Sequence, residues 1–93
     1  MQFMVIERFR SAQAVAEVYR RFAEQGRMLP EGLSYVSSWI EPSFARCFQV
    51  MECEDASLLQ AWVLRWHDLV DFEIVPVLSS QETAEVVRAA GRA

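Results

Sequence analysis

The spacing of apolar positions changes several times along the chain, from alternate residues to every third or fourth residue. Alternation is typical of half-buried strands, and the longer spacing is typical of amphipathic helices. This pattern predicts seven elements. They are strands at Gln2–Arg8, Leu33–Ile40, Ala45–Glu52 and Phe72–Leu78, and helices from Ser11 to about Gly26, from Asp55 to about Leu69, and from Ser79 to about Ala90.

The predicted helices have recognisable ends and apolar stripes. Ser11 and Asp55 are residue types that cap helix N-termini, and Ser79 with Glu82 matches a capping box. The stripes consist of Val15, Val18, Tyr19, Phe22 and Ala23 in the first helix, and Leu59, Trp62, Trp66 and Leu69 in the second. Trp62 and Trp66 fit either core packing against a sheet or the wall of a ligand site.

Strand, helix, strand, strand, helix, strand is the order of an α+β, ferredoxin-like βαββαβ fold with an antiparallel four-stranded sheet. We expect sheet order 4-1-3-2, two main helices on one face, and an extra C-terminal helix. Pro76 lacks an N–H group, which places the fourth strand at an edge, or Pro76 at a position in the sheet where that N–H is not needed. A chain of 93 residues has room for a single domain, residues 1–93.

Side-chain parity then divides the sheet into two faces, on the assumption that Ile40 pairs with Arg46. One face would carry Phe3, Val5, Glu7, Tyr35, Ser37, Trp39, Cys47, Gln49, Met51, Glu73, Val75 and Val77. The other would carry Met4, Ile6, Val36, Ser38, Ile40, Phe48, Val50, Phe72 and Ile74. The second face is more uniformly apolar, so we expect the helices to cover it and leave the first face open.

The open face would then hold a ligand-binding pocket, since it mixes aromatic and hydrogen-bonding side chains. Its expected lining is Tyr35, Trp39, Gln49 and Met51, with Glu7 and Glu73 at the rim. Two facing carboxylates raise one pKa and can supply an acid or base. Alternatively, Glu7 and Glu73 are solvated rim groups neutralised by Arg8 or Arg46.

The amino-acid composition limits the kinds of partner that we expect for this chain. The net charge is −4 and the chain has no Lys, which argues against nucleic acid. A hydrophobic fraction of 53% is high for so short a chain and favours a homodimer. With no long apolar run and no signal peptide, we expect a cytoplasmic protein that does not enter membranes. Cys47 and Cys53 are expected as unpaired thiols, and the lone His67 as a solvated or capping residue.

Three stretches resemble the DUF3303 family of small bacterial proteins: GRMLPEGLSYVSSW, RCFQVMECED and WVLRWHDLVDFEIVPV. The resemblance covers about residues 3 to 79. It implies a ferredoxin-like subunit and a dimer of the dimeric α-β barrel superfamily, but no established activity. Barrels related by fold alone include cofactor-free monooxygenases, haem-degrading enzymes and ligand-binding stress proteins.

Two functions remain open at this point. The first is a small-molecule-binding or accessory module, whose ligand would be apolar or aromatic. The second is a cofactor-independent or haem-linked, monooxygenase-like enzyme using Trp39, Tyr35, Gln49 and Glu7. Because the sequence has no phosphate loop, nucleophile motif or metal-ligand spacing, we expect no metal and no cofactor, and we favour the first function.

Overall fold

The chain folds into an antiparallel four-stranded sheet with two helices on one face and a third helix after the last strand. The computed structural model describes residues 1–92. The elements are β1 (Gln2–Phe9), α1 (Ala12–Gln25), β2 (Ser34–Ile40), β3 (Arg46–Glu52), α2 (Ser57–Val63), β4 (Val70–Val77) and α3 (Ser80–Gly91). The α+β, ferredoxin-like order with a C-terminal helix is confirmed.

The sheet order is β2-β3-β1-β4, which is the predicted order read from the opposite edge. Pro76 lies in β4, at an edge of this sheet, as its missing N–H requires. None of the helices within residues 1–92 is long and apolar enough to cross a membrane.

The helix ends form largely at the residues that the sequence indicates. The Ser11 hydroxyl accepts a hydrogen bond from the Ala14 N–H at 3.1 Å, and Ser79 with Glu82 makes the capping box. Gly26 ends α1 with a φ of 67°, a left-handed conformation that glycine adopts without strain. Asp55 accepts the Ser57 N–H at 2.9 Å, and α2 begins beside it.

The helices cover the opposite face from the one expected. The buried core consists of Phe3, Val5, Leu33, Met51, Cys53, Leu59, Trp62 and Trp66. Phe3, Val5 and Met51 belong to the face that we expected to be open. That face was judged less suitable for burial because it carries Glu7 and Gln49, but these two side chains bond to each other and are buried together.

Strand β2 also changes face part of the way along its length. Tyr35 pairs with Met51, but Ser37 pairs with Val50, so a β-bulge at this point inserts one extra residue. Ile40 consequently pairs with Cys47 and not with Arg46. The bulge leaves Tyr35 on the helix-covered face and puts Trp39, the partner of Phe48, on the open face.

The register of β4 separates the two carboxylates that were expected to face each other. Glu7 pairs with Phe72, whereas Glu73 pairs with Ile6. Glu7 therefore points toward the helices, and Glu73 lies on the open face, where it forms an ion pair with Arg8 at 3.5 Å. The predicted Glu7–Glu73 acid–base pair is wrong, and only Glu73 is a solvated rim group.

Candidate ligand-binding cavity

A cavity of about 200 Å³ lies between the helices and the helix-covered face of the sheet. On the helix side it is bounded by α1, by the segment that follows α1, and by the α2 region. Its apolar wall is formed by Phe9, Val18, Tyr19, Phe22, Trp62 and Trp66. Its polar groups come from Glu7, Arg27, Ser38, Cys47 and Gln49. An apolar enclosure with a few polar groups is the usual composition of a small-molecule site.

This cavity explains why the apolar stripe of α1 is incompletely buried. Ala14 is the buried residue of α1, whereas Val18 is half-buried and Tyr19 and Phe22 are partly exposed. All three side chains line the cavity, and Val18 also packs against the hydrophobic core. The sequence thus predicts an apolar stripe on α1, and part of that stripe lines the cavity.

Glu7 and Gln49 form a buried polar pair in the wall of the cavity. Each is only 8% exposed. The Gln49 side-chain Nε2 donates a hydrogen bond to Glu7 Oε2. The other end of the amide, Gln49 Oε1, is buried and finds no hydrogen-bond partner among residues 1–92. A buried polar atom of this kind calls for a donor from outside the chain, such as a water or a ligand.

The electrostatics of the pair centre on Glu7. Burial raises the pKa of this carboxyl, because the charged form loses its hydration. The Gln49 hydrogen bond, the Cys47 thiol and the positive charge of Arg27 oppose that rise without cancelling it. Glu7 is thus a buried carboxyl in the cavity wall with a raised pKa.

Cys47 lies beside Glu7 but is not an activated thiol. Burial, together with the negative charge of Glu7, raises the pKa of Cys47 to about 12. The thiol therefore remains protonated at neutral pH, whereas nucleophilic cysteines have lowered pKa values. Cys47 and Cys53 are both free cysteines, as expected.

Both the backbone and the side chain of Arg27 make contacts that hold this residue at the cavity. Its backbone carbonyl accepts hydrogen bonds from the indole N–H groups of Trp62, at 2.9 Å, and Trp66, at 3.0 Å. Its guanidinium carbon lies 3.6 Å from the centroid of the Tyr35 ring and 4.9 Å from that of Phe22. Cation–π contacts of this type fix the charged group in place.

The predicted site residues are divided by the fold. Glu7 and Gln49 line the cavity together. Met51 is fully buried in the core, and Tyr35 reaches the cavity only through its contact with Arg27. Trp39, 58% exposed, and Glu73 lie on the opposite face of the sheet. The expectation that all six share one pocket on the open face is wrong.

Sequence reasoning missed Arg27 altogether and left the role of the two tryptophans open. Trp62 and Trp66 are buried, as core packing requires, and also line the cavity. One signal was available, because buried indole N–H groups need acceptors, and two of them four residues apart can share one. Outside the cavity, His67 is exposed, and residues 1–92 contain no cluster of three groups arranged to hold a metal ion.

Comparison with known proteins gives one match. The model of a domain of unknown function, DUF3303, matches residues 1–91 and confirms the resemblance drawn from the sequence. No curated protein and no solved structure matches the chain.

Proposed function

We propose that this chain, which belongs to the DUF3303 family of unknown function, binds a small organic molecule in the cavity between α1 and the sheet. The family supplies no activity, so the proposal depends on the cavity itself. The ligand lies on the helix-covered side of the sheet and contacts the Glu7–Gln49 pair.

One observation carries this proposal: the unpaired Gln49 Oε1 belongs to a buried side chain in the wall of an apolar cavity. Leaving a buried acceptor unmet costs about 1–3 kcal/mol. A chain that needed this region only for stability would gain by placing an apolar residue at position 49. An acceptor kept in an aromatic enclosure is consistent with recognition of a bound molecule.

Filling the cavity tests the proposal. Val18 lines the cavity, so Val18→Phe puts a ring into the space and should abolish binding of ring-sized probes such as phenol and toluene. Val15 lies one turn earlier on α1 and outside this cavity, which makes Val15→Phe the matched control. Backbone amide NMR shifts during probe titration report binding. No shift at cavity residues in the unmodified protein would contradict the proposal.

A second candidate is a cofactor-independent enzyme that uses Glu7 as a proton acceptor. The raised pKa of this buried carboxyl favours it, since general bases of enzymes are tuned in the same way. A haem-linked version fits less well, because about 200 Å³ is below the roughly 300–1,000 Å³ of cavities that hold larger ligands. An enzyme converts the bound molecule, whereas a binding module releases it unchanged.

We also propose that the protein acts as a homodimer in the cytoplasm. The open face of the sheet carries half-buried Met4, Ile6, Phe48 and Val50 beside exposed Trp39. A second copy of the chain has the same apolar face and is the natural cover for it. Two free cysteines are consistent with a reducing compartment.

A further inference from the structure

We infer that the ligand of the cavity is an uncharged aromatic ring carrying a hydrogen-bond donor, as phenol does, and that the donor binds Gln49 Oε1. This inference rests on the proposed function and names its ligand class. It follows from the size of the cavity, from the polarity of its one unmet group, and from the charges beside it.

The size of the cavity sets the size of the ligand. An apolar cavity of about 150 Å³ in another protein accommodates benzene. The cavity here, of about 200 Å³, has room for one such ring and a small substituent. Its walls suit a ring, since Phe22, Trp62 and Trp66 offer aromatic surfaces for stacked or edge-to-face contacts.

The hydrogen-bonding character of the unpaired Gln49 Oε1 determines which polar substituent the ligand carries. Gln49 Nε2 is already engaged with Glu7, so the amide presents its oxygen as the group still in need of a partner. An oxygen accepts hydrogen bonds and cannot donate them. A ligand O–H or N–H satisfies it, whereas an ether, ester or ketone oxygen does not. Glu7 acts as a positioning residue that fixes which end of the amide is available.

The charges around Gln49 favour an uncharged ligand. The lining contains one acidic group, Glu7, and one basic group, Arg27, so an ion of either sign gains an attraction from one of them and a repulsion from the other. Ions of either sign would also lose their hydration against aromatic walls. A phenolic hydroxyl, with a pKa of about 10, keeps its proton at neutral pH and avoids both problems.

Three probes of similar size separate this inference from the proposed function. Phenol has the donor, anisole has a methylated oxygen, and toluene has no oxygen. Titration of the unmodified protein, followed by NMR, should give phenol about tenfold tighter binding than either of the others. Equal affinities for phenol and anisole would overturn the inference but leave the proposed function standing. Absence of binding by all three would overturn both.

Two variants locate the preference at position 49. Gln49→Met keeps the length of the side chain without its oxygen acceptor, and should bring phenol down to the affinity of anisole. Ser38→Ala removes a different polar group from the same cavity and should leave the preference intact. A preference retained in Gln49→Met would refute the assignment.

A measurement on the unmodified protein covers the case in which Gln49→Met does not fold. The side-chain Nε2 resonance of Gln49 should move when phenol binds, because a hydrogen bond to Oε1 alters the whole amide. Anisole, bound in the same cavity, should move it much less. Equal movement with both probes would contradict the inference.

Discussion

Glu7 is a residue whose acid–base chemistry is changed by the fold. In water its carboxylate is fully hydrated, whereas in the cavity wall one amide, one thiol and a nearby guanidinium replace that hydration. The replacement is incomplete, so the charged form is less stable in the fold than in water, and the pKa lies above the ordinary value of 4.5. The consequence is a dependence of folding stability on pH that has a definite sign.

Glu7→Gln should reveal that dependence. A raised pKa means that the folded state binds the proton more tightly than the unfolded state. The stability contributed by this group is thus complete below about pH 4.5, falls as pH rises through the folded pKa, and then stays constant. The variant has no charge to bury and should be more stable than the parent at pH 8, with a smaller difference at pH 4.

Urea denaturation of both proteins across this pH range measures the difference. Exposed carboxyls such as Glu41 and Asp68 have lowered pKa values, caused mainly by hydrogen bonds from arginines, and they shift stability in the opposite direction. Their effect is common to both proteins and cancels in the comparison. A stability difference that does not vary with pH would show that Glu7 does not titrate as described.

Individual residues also show which features of the site could not be predicted from the sequence. The sequence indicates Gln49 and Glu7 as candidates, because an amide and a carboxylate among apolar strand residues require partners. Their face was assigned wrongly, because apolar uniformity was taken as the sign of the core. The two polar side chains are buried as a bonded pair, and the uniformly apolar side chains of Met4, Ile6, Phe48 and Val50 are on the open face.

At the scale of elements, all seven predicted segments start within two residues of the observed elements. The longest change is at the end of α2, which stops at Val63, so Trp66 lies in the turns that follow. The order of the strands in the sheet was also predicted from the order of elements along the chain. The bulge in β2 did not, because one inserted residue leaves the alternation of a short strand almost unchanged yet moves Trp39 to the other face.

The contact between the α2 region and the segment after α1 rests on one carbonyl that accepts two indole N–H groups. Trp66→Phe keeps an aromatic ring, smaller than the indole, and removes one of these hydrogen bonds to the Arg27 carbonyl. We expect a loss of about 1 kcal/mol in the free energy of unfolding, since Trp62 retains the other bond. Tyr19→Phe is the control, because the described residues give the Tyr19 hydroxyl no hydrogen-bond partner. Equal losses in the two variants would contradict this role for Trp66.

At the scale of the whole molecule, a single chain leaves two surfaces without cover. The Cα radius of gyration is 15.7 Å, against about 12 Å for a compact chain of this length. The excess arises partly from α3, in which no described residue is buried and Val86 and Val87 are 63% and 66% exposed. A helix of 12 residues is marginal without packing. The open sheet face is the second surface.

The proposed second copy of the chain would cover both surfaces. Four strands about 4.8 Å apart, each about 25 Å long, give a face of roughly 500 Å². Two such faces pressed together remove about 1,000 Å², which is at the lower end for a specific interface, and α3 would add to it. Apolar Ile6 and Phe48 would lie near the middle, and the Arg8–Glu73 ion pair toward one end of the face.

Trp39→Glu tests the dimer directly. Trp39 projects from the open face beside Phe48 and is 58% exposed, so its replacement should spare the fold of the chain but bring two carboxylates into the interface. Leu64→Glu makes the same change at a residue that is 70% exposed on the helix side, away from that face. In sedimentation equilibrium, the parent and Leu64→Glu should give twice the 10.7 kDa chain mass, and Trp39→Glu should approach the chain mass itself. A parent protein that sediments as a monomer at micromolar concentration would rule out the dimer. A dimer in which Trp39→Glu and Leu64→Glu behave alike would place the interface elsewhere than the open sheet face.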